Sequence, residues 1–152
     1  MVNAPLREGA AEAERVAREV IRGVCRMFGG LGYGTLTEFR LKLGRRVDIM
    51  ALGEAGDFLI VEVKSGAADF RTDRKWREYL AFCEGFYFAV PVGFPLDLIP
   101  AECGLIVADG YDAAIRREAP ALALDPTRKR RQLLRFAHAA SARLQRLTDP
   151  SP

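Results

Sequence analysis

Hydrophobic positions along the chain switch between two periods, and the switches mark its elements. Over residues 10–28, Val16, Val20, Val24 and Met27, with Ala13 and Ala17, recur at helical spacing, and Gly29, Gly30 and Gly32 close the helix. Residues 35–42 and 46–52 alternate with the period of two that marks strands. Residues 58–64 read Phe-Leu-Ile-Val-Glu-Val-Lys, apolar on both faces, which is the pattern of a covered central strand. Helical spacing returns over 71–84, where Trp76, Tyr79, Leu80 and Cys83 form a stripe of core anchors and Asp69 is the candidate N-cap. A buried-type strand follows over 86–93, its pairing ended by Pro91, and 104–110 with 113–119 reads as a hairpin. Asp125-Pro126, an N-cap with proline at the first helical position, opens a last helix to residue 147.

This order predicts one α/β domain over residues 1–152, with 1–9 and 148–152 as flexible tails. Its sheet is mixed: a three-stranded antiparallel meander, then a strand reached by a helical crossover, with helices on the faces.

Three charges break the apolar pattern of the meander: Asp48, Glu62 and Lys64. A three-residue loop Glu54-Ala55-Gly56 between Gly53 and Asp57, with glycine at the left-handed position, fixes the register of the second hairpin. Counting back from it puts Asp48 directly opposite Glu62, with Cβ atoms roughly 4.5–5.5 Å apart. Two carboxylates so placed repel in a half-buried site unless a cation lies between them, and Lys64, on the same face, is one source of positive charge. A loop Leu43-Gly44-Arg45 in the first hairpin puts Glu38 on the Asp48 face. The alternative is a solvated sheet face with a screened surface cluster.

Composition narrows the chemistry. A net charge of +3 permits nucleic acid as partner without requiring it, but the run Arg128, Lys129, Arg130, Arg131, with Arg135, Arg143 and Arg146, concentrates that charge near one end. Such a run is read equally as phosphate contact or as a solvated helix face. Cys25, Cys83 and Cys103 are widely spaced and odd in number, which argues against a disulfide framework or a structural zinc site. One histidine, His138, excludes a histidine-rich metal site and leaves little room for a histidine-based triad, so an active site here is expected to be built from carboxylates, lysine and arginine. No signal peptide or membrane-length apolar run is present, which predicts a soluble protein without a membrane partner in a reducing cytoplasm.

Asp48 followed by Glu62-Val63-Lys64 resembles the D…ExK signature of the PD-(D/E)XK nuclease superfamily, on the strand pair that carries it there. The stretches GRRVDIMAL, IVEVKSGAADFRTDRKWREYLAFCEGFYFAVP, IPAECGLIVADGY and RKRRQLLRFAHAA resemble, over residues 31–147, the MmcB-like DNA repair family of bacteria, which is assigned to that superfamily. The resemblance implies a restriction-endonuclease-like core and a metal-dependent DNA endonuclease active in repair. Asp48 and Glu62 would be metal ligands with the Val63 carbonyl, and Lys64 would stand beside the attacking water. A further acidic ligand would come from Glu38, which is preferred, or from Glu19 on the first helix. Oxygen donors of this kind suit Mg²⁺ or Mn²⁺. In RecB-like relatives a glutamine stands four residues before a tyrosine on the next helix; here Lys75 stands four before Tyr79, so no glutamine role carries over. Lys75 is placed to reach a phosphate, and the implied partner is DNA, held through its phosphates without base readout, in a nucleoid-associated bacterial protein. Two rival readings remain: a DNA-binding module that does not cut, and a protein-interaction module that forms a homodimer or recruits a repair partner.

Overall fold

A computed structural model describes residues 4–151. The first helix, α1, spans Ala4–Gly30, so residues 4–9, read from sequence as part of a tail, carry it back toward the N-terminus. Six strands follow in one sheet: β1 (Gly34–Arg40), β2 (Arg46–Leu52), β3 (Phe58–Val63), β4 (Gly85–Pro91), β5 (Gly104–Ala108) and β6 (Ala113–Arg117). They lie side by side in chain order. β1–β2–β3 is the antiparallel meander, β4 joins β3 in parallel after a crossover, β5 is parallel to β4, and β6 returns antiparallel. The helix α3 spans Pro126–Thr148; the Asp125 carboxylate caps it by accepting from the Arg128 amide at 2.9 Å.

The period of two sorts most sheet residues onto two layers, slipping beside Glu38, where Phe39 and Val47 join the layer of Met50. Ile49, Ala51, Val61, Val63, Tyr87, Ala89 and Ile106 face α1, where Val20, Val24 and Phe28 cover them. Met50, Phe58, Ile60, Phe86 and Phe88 face the other way, beneath Trp76, Tyr79 and Phe82 and beneath Phe136 of α3. The central position of β3 follows from this double cover.

The crossover is the main departure from the sequence reading. A single helix over 71–84 is replaced by α2 (Ala67–Thr72) and a separate 3₁₀ helix (Trp76–Phe82). Asp73 makes the break: its backbone is extended, and its carboxylate accepts from the Lys75 amide at 2.8 Å, a local bond that competes with continued helix. Asp69 lies in the first turn of α2 and is not the N-cap, which is Gly66. Trp76, Tyr79 and Phe82, three apart, share the buried face because a 3₁₀ turn holds three residues.

The β2–β3 loop is as read: the Gly53 amide donates to the Asp57 carbonyl at 2.9 Å, and Gly56 sits at φ +89. The β1–β2 loop lies one residue earlier than read, which shifts the strand pairing by two. The Leu41 amide donates to the Arg45 carbonyl at 2.8 Å, so the loop is Lys42-Leu43-Gly44, with Gly44 at φ +93 in the third position. Both loops obey one rule, that the left-handed residue comes third, and the even shift leaves Glu38 on its expected face.

A carboxylate cleft at the end of the meander

The regular β2–β3 ladder ends at Ile49 and Val61, and the next opposed residues in that register are Asp48 and Glu62. There the side chains replace the backbone ladder. The Asp48 amide donates to Glu62 Oε1 at 2.9 Å, and the Val63 amide donates to Asp48 Oδ2 at 2.7 Å. The two carboxylates therefore stitch the strands together crosswise, each spending one oxygen on a backbone N–H and keeping the other.

Their environment disfavours two negative charges. Burial, then the Asp48 charge, push the Glu62 carboxyl up to about 8. Burial also raises the Asp48 carboxyl, reinforced by Asp69 and Glu38 and opposed by the Val63 amide and Lys64.

Lys64 is buried, and its ion pair lies elsewhere than the sequence placed it. Its Nζ stands 2.7 Å from Asp73 Oδ2 and 3.9 Å from Asp69 Oδ1, so it acts on the carboxylate pair only through its field. Asp73 is the site residue that the sequence reading missed. Burial alone would raise its carboxyl, but hydrogen bonds from Lys64 and from the Lys75 and Trp76 amides hold it below its ordinary value. Its signal in the sequence was a helix-disfavouring aspartate inside a supposed helix.

Tyr79 is both core anchor and site wall. It is buried against Phe86, and it lines both halves of the cleft. Burial, then the charges of Glu62 and Asp73, push its hydroxyl up to about 12. One half of the cleft, about 290 Å³, holds Asp48, Glu38, Arg45 and Arg46; the other, about 260 Å³, holds Glu62, Lys64, Asp69 and Asp73. Lys75 is exposed and borders both, as a phosphate-reaching residue would.

Glu38 stands at the mouth of the Asp48 half, with its carboxylate 4.0 Å from Arg46 and its backbone at φ +48, a left-handed conformation unusual for a glutamate. Glu19 is not brought to the cleft. It lies exposed on α1, on the other side of the sheet, paired with Arg15 at 2.6 Å and packed against Gly110. The basic run at the start of α3 divides. Arg128 stacks on Phe82 and donates to the Ala81 carbonyl, and Lys129 pairs with Glu84 at 2.6 Å, while Arg130 and Arg131 stay exposed. The three cysteines are free, and burial raises the Cys83 thiol to about 12 and the Cys103 thiol to about 11, as unreactive core residues.

The family model of DNA repair protein MmcB-like matches residues 3–151. The chain belongs to the MmcB-like family. A solved structure from Silicibacter pomeroyi, SPO1766, titled a protein of unknown function, is 43% identical and superposes with a TM-score of 0.85. The match covers 88% of this chain and 92% of that one, so the two chains share a fold. No curated protein matches the chain. No described helix of this MmcB-like protein is long and apolar enough to cross a membrane.

Proposed function

We propose that this MmcB-like protein serves DNA repair as a Mg²⁺- or Mn²⁺-dependent endonuclease of the PD-(D/E)XK type. The observation that carries the reading is the crosswise pair of Asp48 and Glu62, two carboxylates held side by side at an open strand end. A divalent ion fits that pair. The donors are oxygens, one oxygen of each is not taken by the backbone bonds, and the raised Glu62 carboxyl marks a place short of positive charge. Asp48, Glu62 and the Val63 carbonyl would hold it, with Glu38 as a further carboxylate lining the Asp48 half. When bound, the ion would supply Lewis-acid charge neutralisation at the scissile phosphate and acidify a water.

The chain's own groups do the positioning. Asp73 anchors Lys64, whose ammonium has three protons and spends one on that bond. The remaining protons can orient a water or a non-bridging phosphate oxygen at the cleft floor. Lys75, at the join of the two halves, can take a second phosphate. Tyr79 and Trp76 fix the floor by packing, so the lysine and carboxylates keep their spacing.

A second reading, a DNA-binding module that does not cut, draws on one observation. Among the described residues, no group of three or more His, Cys, Asp or Glu is arranged to hold a metal. The deciding assay is cleavage of duplex, single-stranded, flapped and branched DNA with Mg²⁺, Mn²⁺ or chelator. Metal-dependent products from wild type, lost in Asp48→Ala and Lys64→Ala, support the nuclease. No cleavage of any form, or equal cleavage by the variants, removes it.

A further inference from the structure

The arginines of α3 that make no ion pair are not confined to its start, where Arg130 and Arg131 stay exposed. Arg135, Arg143 and Arg146, with His138, make no ion pair with a carboxylate among the described residues. Together with Arg40 of β1 they line one open groove of about 540 Å³ between that edge strand and the helix. The only acidic residue in its wall is Glu38. Arg131 continues the line in the adjoining pocket, which shares Arg135. Like charges gathered on one side of a helix repel, and such a field concentrates a polyanion along it.

Two geometric features define what fits. The groove opens onto the carboxylate cleft, since Glu38 lines both and its carbonyl accepts from Arg143 Nη2 at 3.2 Å. From Arg131 to Arg146 the helix rises about 22 Å, a straight track that faces about six base pairs. Phe39 in the groove is 2% exposed and packed under Phe136, which leaves the single imidazole of His138 and no series of stacking platforms along it. Binders of single strands rely on such platforms, whereas a duplex needs only cations at phosphate spacing.

Resting on the phosphodiester reading for what happens at its end, we propose that the β1–α3 groove seats one backbone of a DNA duplex. Arg40, Arg135, Arg143 and Arg146 grip its phosphates and deliver the strand past Glu38 to Asp48 and Glu62. Arg128 and Lys129 serve the fold instead.

The test is fluorescence anisotropy in chelator, with a labelled mixed-sequence duplex of about 16 base pairs and its isolated strand, across a salt series. Wild type is expected to bind the duplex more tightly than the strand. Arg135→Ala/Arg143→Ala/Arg146→Ala should weaken duplex binding by about tenfold or more and flatten the log–log salt slope by about 2–3 units. The triple lysine variant should keep most of the slope, and Arg40→Ala, on a different element, should lower it by about 0.9. Arg22→Ala, at an exposed arginine of α1 across the sheet from the groove, should bind as wild type does. Tighter binding of the single strand, or unchanged affinity and slope in both alanine variants, overturns the proposal. If nothing is cleaved but these shifts appear, the groove stands and the nuclease reading falls. Cleavage with unshifted variants is the reverse.

Discussion

Glu62 is 7% exposed beside Asp48, with its carboxyl raised from the ordinary 4.5 to about 8, so the folded chain holds a proton that the unfolded chain releases. Stability therefore falls as pH rises from about 4.5 to about 8, by up to about 1.4 kcal/mol per pH unit. Urea denaturation of chelated protein should show this slope, and Glu62→Gln should flatten it; a slope that survives the substitution would place the proton elsewhere. The same linkage makes divalent-ion stabilisation weaker below pH 8, because binding must displace that proton. Glu38 allows a separate test. At φ +48 its backbone strain is on the order of 1 kcal/mol, which glycine relieves at a similar entropic cost. Glu38→Gly is thus expected to change urea stability by less than about 1 kcal/mol. If the Glu38 carboxylate completes the ion site, Glu38→Gly also loses most of the Mn²⁺-induced rise in melting temperature.

Among the elements, the β2–β3 hairpin and the broken crossover decide where the charges meet. Gly56 at φ +89 holds the turn that sets Asp48 against Glu62. Gly56→Ala should cost about 1 kcal/mol or more and lower any metal-dependent activity, since a register slip turns every side chain to the other face. Asp73 holds Lys64 from the crossover, both side chains being about nine-tenths buried. Removing one partner of such a pair leaves a buried charge, so Asp73→Ala should cost about 3 kcal/mol in chemical denaturation. An effect below about 0.5 kcal/mol would mean that water substitutes for the carboxylate. These two elements also show what sequence can and cannot yield. The hairpin was legible because alternation and one left-handed glycine are local rules, and they sufficed to oppose Asp48 and Glu62. The partner of Lys64 was not legible, because the stripe Trp76, Tyr79, Leu80 and Cys83 has α-helical spacing, whereas the 3₁₀ helix that forms buries Trp76, Tyr79 and Phe82. Only the break at Asp73 distinguishes them, and that break rests on a side chain accepting from its own backbone two residues on.

Over the whole molecule, the two faces of the sheet are covered unequally, and that asymmetry leaves room for the cleft and the groove. α1 lies across β1 to β6 and closes one face with Val20, Val24 and Phe28. The other face is covered piecewise, by the short crossover helices and by one stretch of α3. That helix is fastened at Gln132, whose amide donates to the Phe82 carbonyl at 2.8 Å, and at Phe136, which meets Phe39 and Phe58 with ring centroids 5.9 Å and 6.1 Å apart. Beyond Ala139 nothing on α3 is fully buried, and Leu144 and Leu147 are exposed. Arginines on so lightly held a segment can adjust to a bound backbone while the carboxylates, in the rigid sheet, cannot. Native-state hydrogen exchange should therefore find the amides of residues 140–148 the least protected of α3 and those of β3 and β4 the most. Phe136→Ala should cost about 3 kcal/mol globally and spread the fast exchange through all of α3, leaving β3 and β4 the best protected. Uniform loss of protection across sheet and helix would instead make α3 an inseparable part of the core, and the groove a fixed wall.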